Sequence, residues 1–255
     1  MKQISSKSNS IIKKAVKVLS GSSDENLIMV EGHKLLEEAL KSGAKVDMLF
    51  VEDPSSLRDK TDLESKCYQI SRGLMRELST VKTPNEIIAF LTPPPLPSLN
   101  KVLENQGVLV ALDRLQDPGN IGTIIRTSEA MGALAVILLE GCCNSNNHKV
   151  IRAAMGSNFR IPVFSNIKSE KLFSLLKEND FSTYCADMQG KQLPGHSFPK
   201  KVALFLGQEG SGLSETVIEN CNHRIAIPMF GQVESLNVAT SAAMCLYEWA
   251  RNKFV

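Results

Sequence analysis

The sequence predicts an α/β protein of two domains, a small amino-terminal α/β domain and a larger carboxyl-terminal α/β domain with three layers. The first observation is that short runs rich in Val, Ile and Leu alternate along the chain with amphipathic segments of helical period, which is the pattern of strands followed by helices. The second is the stretch TPPPLPSLN at residues 92–100, whose prolines exclude a helix and favour an extended linker. We therefore divide the chain into domains at residues 1–91 and 101–255, joined by a proline-rich linker at residues 92–100.

The composition excludes several classes of protein. Of the 255 residues, 43% are hydrophobic and 22% are charged, so the chain can bury a sizeable core and does not resemble a disordered tail. The longest apolar runs, such as ALAVILL at residues 133–139, are far shorter than the roughly 20 residues that span a bilayer. We expect no membrane span. The net charge of +2 is too small to identify a nucleic-acid-binding protein by itself.

The cysteines and histidines indicate neither a metal site nor a disulfide framework. No two cysteines have the spacing C-x-x-C, and the histidines are scattered, so we predict no bound metal. We expect reduced thiols and a cytoplasmic protein, with an organelle left open for a eukaryotic source. The cysteines are Cys67, Cys142, Cys143, Cys185, Cys221 and Cys245, and the histidines are His33, His148, His196 and His223.

The chain begins with a basic segment. Five lysines precede the first acidic residue, Asp24, which favours a basic helix that contacts phosphate. A solvated end without function and an organellar transit peptide are the alternatives, although the segment contains no arginine. The lysines are Lys2, Lys7, Lys13, Lys14 and Lys17.

The rest of the amino-terminal domain alternates between strands and helices. NLIMVEG predicts a strand, HKLLEEALKSG an amphipathic helix that ends at Gly43, and KVDMLFVED a second strand. CYQI, the helix-like SRGLMRELS and NEIIAFL continue the alternation.

The carboxyl-terminal domain repeats this alternation with longer apolar runs. Strands are predicted at QGVLVALD, LAVILLEG, RIPVFS, FSTYCAD, KVALFLG and HRIAIPM, and helices at IGTIIRTSEAMG, HKVIRAAMGS and SEKLFSLLKEND. A last, long helix is predicted over residues 234–251. Apolar strands separated by helices indicate a mostly parallel sheet covered on both faces.

The first candidate functional segment is LDRLQDPGNIGTIIR, where a strand turns into a helix. Pro118 and Gly119 predict the turn, and Asn120 is expected to cap the helix amino terminus. Gly122 permits a close approach to the first helical turn. Arg126 is predicted to project away from the buried face of the helix.

The second segment, LFLGQEGSGLSE, is another junction of a strand, a glycine loop and a helix. Its glycines have the spacing G-x-x-G-x-G, the reverse of the dinucleotide fingerprint, and no Gly-Lys-Ser/Thr follows, so a Rossmann site and a P-loop are excluded. Three glycines still let the backbone contact a ligand directly, and Glu209 adds a carboxylate.

The third segment, IAIPMFGQVESLNVATSAAMCLYEWA, runs from a strand through Gly231 into the last helix. Ser235 is expected to cap that helix, and Asn237 is an unfavourable residue in a first turn unless its amide makes a contact. The predicted apolar face comprises Leu236, Ala239, Ala243, Leu246, Tyr247 and Ala250. Because all three junctions follow strands of one parallel sheet, they should meet at its carboxyl edge, the usual ligand site of such folds.

These segments resemble a known family. NIGTIIR, LGQEGSGLS and IPMFGQVESLNVA are similar, in order and spacing, to the three motifs of the SpoU (TrmH-like) class of SPOUT RNA methyltransferases, which use S-adenosylmethionine to methylate ribose 2′-hydroxyls. The resemblance covers residues 108–249. The segments ISSKSNSIIKKAVKVL and MVEGHKLLEEAL look like the substrate-binding domain, itself similar to RNA-binding ribosomal proteins, that often precedes this catalytic domain.

The resemblance implies the fold and the site. It implies a trefoil knot formed by the loops near residues 207–212 and 227–236, and a homodimer that packs through the last helix and the helix after Asn120. The implied cofactor-binding residues, contacting through their backbone, are Leu206, Gly207, Gly210, Ile227, Met229 and Leu236. The implied catalytic residues are Arg126, Asn120, Glu209, Ser235 and Asn237. Where the family often has Ser, this chain has Ala239, so one hydroxyl contact is missing.

The implied reaction is S-adenosylmethionine-dependent methylation of RNA, since only RNA offers the 2′-hydroxyl. Because a guanidinium is effectively always protonated, we expect Arg126 to stabilise the developing alkoxide rather than to act as a base. The amino-terminal domain favours ribosomal RNA. Transfer RNA as the substrate, methylation of a base, and a non-catalytic RNA-binding protein that keeps the fold are the alternatives.

Overall fold

The structure is a computed structural model that describes residues 2–22, 26–57, 61–208 and 210–251. The chain forms two compact units, Met1–Pro95 and Leu96–Val255. No helix among the described residues is long and apolar enough to cross a membrane.

The first unit is a five-stranded mixed sheet with helices. Its elements are β1 (Lys2–Ile4), α1 (Ser10–Leu19), β2 (Ile28–Glu31), α2 (His33–Lys41), β3 (Lys45–Val51), β4 (Cys67–Ile70), α3 (Arg72–Leu78) and β5 (Ile87–Thr92). The strand order is β1-β4-β3-β5-β2. Strand β4 pairs in parallel with β1 and β3, and β5 pairs antiparallel with β3 and β2.

Helices α1 and α3 cover the same face of this sheet. Ile12 of α1 and Leu74 of α3 belong to one apolar cluster with Met48, Phe50 and Phe90 of the strands, and α1 and α3 contact each other. The predicted basic helix is therefore confirmed as an element. Strand β1 was not predicted, because it has three residues and buries only Ile4.

The second unit contains a six-stranded sheet. Its elements are α4 (Leu99–Leu103), β6 (Gly107–Leu112), α5 (Pro118–Ala130), β7 (Ala135–Leu139), α6 (His148–Ala154), β8 (Val163–Ile167), α7 (Ser169–Glu178), β9 (Ser182–Gln192), β10 (Lys201–Leu206), α8 (Glu215–Asn220), β11 (His223–Ala226) and α9 (Val238–Arg251). The strand order is β11-β9-β10-β6-β7-β8, and every neighbouring pair is parallel.

Alternate residues of β6 face opposite layers, which confirms the predicted three-layer architecture. Val110 packs in a cluster with residues of α5, α6 and α9, whereas Leu109 packs in a second cluster with residues of α4, α7 and α8. A strand buried on both faces reads as a continuous apolar run, here GVLVAL. The trefoil knot stays a prediction.

The last helix differs from its prediction. It begins at Val238 rather than at Glu234, and residues 234–236 lie in the loop before it. The buried face is broader than predicted: Ala239, Leu246 and Ala250 are buried as predicted, and Ala242, Cys245 and Trp249 are buried too. The prediction that Tyr247 belongs to this face is wrong, because its side chain is 58% exposed.

Candidate active site

The three glycine-containing junctions open from one edge of the second sheet. They follow β6, β10 and β11, and these strands run parallel within one sheet. Parallel strands end at the same edge, so the predicted convergence of the junctions is confirmed.

The start of α5 is capped by Asp117, not by Asn120. Asp117 has extended backbone angles, and its carboxylate Oδ1 accepts a hydrogen bond from the backbone N–H of Asn120 at 2.7 Å. Pro118 occupies the first helical position, which suits its fixed φ and missing N–H. The prediction that Asn120 is the cap is therefore wrong, because the helix begins two residues before it. Its side chain is left for a tertiary contact.

That contact is made to Asn237 in front of α9. The amide Nδ2 of Asn237 donates to Oδ1 of Asn120 at 2.9 Å, and the Oδ1 of Asn237 accepts from the backbone N–H groups of Ala239 at 3.0 Å and Thr240 at 3.3 Å. Asn237 is thus the cap of α9, and the expectation that Ser235 caps this helix is wrong. One side chain caps α9 and joins it to α5, and this explains an asparagine at that position.

Arg126 projects from α5 into solvent. Its side chain is exposed, and within the described residues no hydrogen bond or ion pair to it is observed. Gly122, one turn earlier, is buried against α6: an added Cβ would lie 2.5 Å from both the Cβ of Ala153 and the carbonyl oxygen of Val150. The close approach predicted at Gly122 therefore serves helix packing, and a ligand has no access there.

The glycine loop after β10 folds back on itself. The backbone groups of Gln208 and Gly212 exchange two hydrogen bonds at 3.1 and 3.0 Å. An added Cβ on Gly207 would lie 2.3 Å from the carbonyl oxygen of Gly212, whereas nothing lies within 4 Å of one on Gly210. The loop needs glycine at 207 for closure, and at 210 it leaves open space. Glu209 lies outside the described residues.

Two side chains not predicted from the sequence fasten this loop to the junction after β6. Gln208 donates from Nε2 to the backbone carbonyl of Arg114 and accepts from the hydroxyl of Ser211 at 3.1 Å. Asp113, only 3% exposed, accepts a 2.6 Å hydrogen bond from the backbone N–H of Ser214. The sequence signal that could have identified Asp113 is an acidic residue directly after a buried strand.

Cys142 supports the same junction from the other side. Its thiol donates to the carbonyl of Leu112 at 3.1 Å and accepts from the N–H of Leu115 at 3.2 Å. Burial raises the pKa of the Cys142 thiol to about 11, so the group stays protonated and keeps its donor at neutral pH. The cysteine is structural, and all six cysteines are free thiols.

A cavity of about 730 Å³ opens beside the glycine loop. Its volume is within the usual range of about 300–1,000 Å³ for small-molecule sites. Every residue predicted to bind the cofactor lines this cavity, and so does Ser235: Leu206, Gly207, Gly210, Ile227, Met229, Leu236 and Ser235. Asn120, Arg126 and Asn237 do not line it. The cavity and the Asn120–Asn237 contact are connected through the loop at residues 234–237.

One wall of the cavity, residues 186–189 of β9, was not predicted. Asp187 lies in it, with Oδ2 3.2 Å from Nη1 of Arg224 and Oδ1 accepting from the N–H of Gln189 at 2.9 Å. The carboxylate is therefore held in a fixed orientation at the cavity. The sequence signal was weak, because the predicted strand ended at Asp187 although β9 continues to Gln192.

Comparison with known proteins gives family matches over most of the chain. The SpoU rRNA Methylase family matches residues 107–247, which contain the three junctions and the cavity. The MRM3-like substrate binding domain matches residues 11–89. Residues that could hold a metal ion do not cluster in the described part of the chain.

Two relatives match along most of their lengths. The chain is 34% identical over 252 residues to the 23S rRNA (guanosine(2553)-2′-O)-methyltransferase RlmP of Bacillus subtilis, covering 97% of this chain and 98% of the relative. It is 31% identical to an uncharacterized tRNA/rRNA methyltransferase of Synechocystis, covering 92% and 87%. Among solved structures, an AdoMet-bound rRNA methyltransferase from Sinorhizobium meliloti is 27% identical, with a TM-score of 0.87 and coverage of 100% and 98%.

Proposed function

Because the chain belongs to the SpoU rRNA Methylase family, we propose that it is an enzyme that transfers a methyl group from S-adenosylmethionine to a ribose 2′-hydroxyl of ribosomal RNA. The observation that carries the proposal is the cavity beside the glycine loop, because it is lined by the residues expected to hold the cofactor. The relative from Bacillus subtilis, which is named as a 23S rRNA 2′-O-methyltransferase and matches over 98% of its length, supports the same reaction.

The cavity fits S-adenosylmethionine in size and chemistry. It is large enough for a drug-sized ligand, and glycine at 210 leaves open space beside the backbone. We assign the cofactor to the backbone of Leu206, Gly207 and Gly210 on one side. Ile227, Met229 and Leu236 complete the site on the other side.

The bound cofactor supplies a methyl group on a positively charged sulfur. The chain has to bring a ribose hydroxyl within near-attack distance of it and stabilise the negative charge that develops on the oxygen. Arg126 suits the second task, because its side chain is exposed and unpaired within the described residues and is free to bind a phosphate or an alkoxide. Asn120, Asn237, Ser235 and Glu209 would orient the nucleotide, and Ser235 lines the cavity.

The substrate we propose is ribosomal RNA. Residues 11–89 match a substrate-binding domain, and the relative from Bacillus subtilis is named for 23S rRNA. A protein choosing a 2′-hydroxyl must bind RNA rather than DNA. We place the activity in the cytoplasm, in keeping with six free thiols.

We also propose that the enzyme is a homodimer that packs through α5 and α9. The support is on α9, where Tyr247 is 58% and Met244 is 42% exposed. Sedimentation equilibrium tests this: a dimer is expected, and a monomer that methylates RNA would contradict it.

Two measurements test the activity. Titration calorimetry should show binding of S-adenosylmethionine to the folded protein, and its absence would contradict the enzymatic function in favour of a non-catalytic RNA-binding protein. Incubation with tritiated cofactor and unmodified total RNA should then label ribosomal RNA in a form that resists alkaline cleavage at one nucleotide, because a 2′-O-methyl group blocks that reaction. Label that stays alkali-cleavable would indicate base methylation, and label in transfer RNA would overturn the assigned substrate.

A further inference from the structure

Positive charge is concentrated on one side of the amino-terminal unit. Residues 2–22 and 67–79, which form β1, α1, β4 and α3, contain seven lysines and arginines and a single acidic residue, Glu77. Over the unit as a whole, fourteen basic residues are nearly balanced by thirteen acidic ones up to Pro95. The imbalance is therefore created by the arrangement of the charges and not by the composition.

The fold brings these two distant segments together. Strand β1 pairs with β4 at one edge of the sheet, and α1 and α3 lie side by side on the same face of the sheet. On α1 the buried residues include Ile12 and Ala15, and on α3 they include Leu74 and Leu78. The exposed cations of both helices consequently share one outer surface.

Four of these cations have no local partner. Lys13 and Lys17 of α1 and Arg72 and Arg76 of α3 are exposed, and no ion pair or hydrogen bond to their side-chain charges is observed within the described residues. Among the described residues, two acidic side chains of the unit are already engaged, since Glu77 pairs with Lys7 and Asp47 with Lys14 at 3.0 Å. We call these four residues the basic ridge.

The spacing within the basic ridge favours an extended polyanion over a single anion. Lys13 and Lys17, like Arg72 and Arg76, are four residues apart on a helix, so their side chains follow one another about 6 Å apart along the axis. Like charges at this spacing repel each other and destabilise a helix. A bound polyanion would remove this repulsion from both pairs. Two parallel rows of charge match repeated phosphates better than one compact group.

We infer that the basic ridge binds the phosphate backbone of the RNA substrate, with α3 contributing as much as the basic amino-terminal helix α1. The inference rests on the proposed function for the identity of the polyanion. Phosphate contacts of this kind fix the register of the RNA and carry no base specificity. They would hold the substrate while the second unit acts on it.

The test compares two double variants with a matched control, using a transcript of 23S rRNA as the probe. The variants are Lys13→Gln with Lys17→Gln, and Arg72→Gln with Arg76→Gln. The control removes the same charge elsewhere in the unit, through Lys41→Gln with Lys45→Gln, both exposed. RNA affinity is measured between 50 and 200 mM salt, folding by thermal unfolding, and S-adenosylmethionine binding by calorimetry.

Each ridge variant should lower the log–log salt slope by about 1.4, since a lost phosphate contact removes roughly 0.7 for single-stranded RNA. Between 50 and 200 mM salt, the loss of RNA affinity of each ridge variant should therefore be about sevenfold smaller than the loss of the wild type. The control should keep the wild-type slope, and all variants should bind the cofactor normally. Ridge variants that behave like the control, or a slope change in the α1 variant alone, would overturn the inference. A wild type that does not bind the transcript would instead contradict the proposed function.

Anionic phospholipid vesicles, run as a second probe, distinguish a membrane surface from RNA. Loss of vesicle binding with an unchanged RNA slope would also overturn the inference.

Discussion

Replacing Asn237 separates two tasks that its side chain performs at once. Its Oδ1 caps α9 through the N–H groups of Ala239 and Thr240, and its Nδ2 donates to Asn120 on α5. Asn237→Ala removes both contacts. Asn237→Asp keeps the cap, because Asp is as good a cap as Asn, but its carboxylate cannot donate to the Oδ1 of Asn120.

The sizes of the two effects follow from these contacts. Loss of a cap costs about 0.5–2 kcal/mol, and a hydrogen bond contributes about 0.5–1.5 kcal/mol net. Because the Asn120–Asn237 hydrogen bond is exposed, its contribution should lie in the lower half of that range. Asn237→Ala should therefore destabilise the protein by about 1–3 kcal/mol, which lowers Tm by about 2–12 °C for a unit of this size. Asn237→Asp should stay within about 1 kcal/mol of the wild type. Both variants should methylate RNA up to about 100-fold more slowly, since a misplaced site has effects of that order.

Thermal unfolding and single-turnover methyl transfer from tritiated cofactor measure the two effects separately. Asn120→Ala is the matched control, because it removes the contact between the helices and leaves the cap of α9 in place. The reasoning is refuted if Asn237→Asp methylates RNA at the wild-type rate, or if Asn237→Ala unfolds at the same temperature as the wild type.

Four further outcomes are expected. Arg126→Ala should slow single-turnover methylation about 100- to 1000-fold, leaving Tm and cofactor affinity nearly unchanged because the side chain is exposed; a near wild-type rate would contradict its assigned role. Gly207→Ala should abolish cofactor binding in calorimetry, because the added Cβ would overlap Gly212. Gly210→Ala should still bind the cofactor, because there is open space around residue 210. Equal cofactor affinities of the two variants would disprove the tight turn. Burial, together with repulsion from neighbouring cations, lowers the pKa of His196. Because the unfolded state then binds more protons, the stability of the fold should fall as the pH drops below about 6.5. A plot of Tm against pH measures this dependence, and His196→Phe should weaken it. Burial raises the pKa of Cys245 to about 12, so a thiol reagent at pH 8 should modify it only after unfolding; rapid labelling of the folded protein would contradict its burial.

The architecture of the second unit followed directly from its sequence, because its strands are buried on both faces and read as unbroken apolar runs such as GVLVAL and AVILL. The convergence of the three junctions was predictable for the same reason, since a parallel sheet has one carboxyl edge. Local capping was less predictable. Asp117 and Asn120 are both good caps, and the choice between them depends on the partner that Asn120 finds in Asn237, 117 positions later.

The parts of the site that were missed depend on tertiary contacts of the same kind. Gln208 and Asp113 act by fastening one junction to another, and no periodicity in the sequence indicates which side chain reaches across. Gly122 was predicted to admit a close neighbour, but its sequence context does not say whether that neighbour is a ligand or α6. The glycine requirement was visible in the sequence, and its cause was not.

The order of strands in the second sheet also has a consequence for the synthesis of the protein. The central strand β6 pairs with β10, with Gly107 opposite Lys201, and α5 packs against α9, which begins at Val238. Pairings so distant in sequence form slowly, and domains tend to fold in order from the amino terminus as they leave the ribosome. The amino-terminal unit can therefore fold before the proposed methyl-transfer site has formed, and a nascent chain would acquire the proposed cofactor cavity only after the start of α9 has been translated.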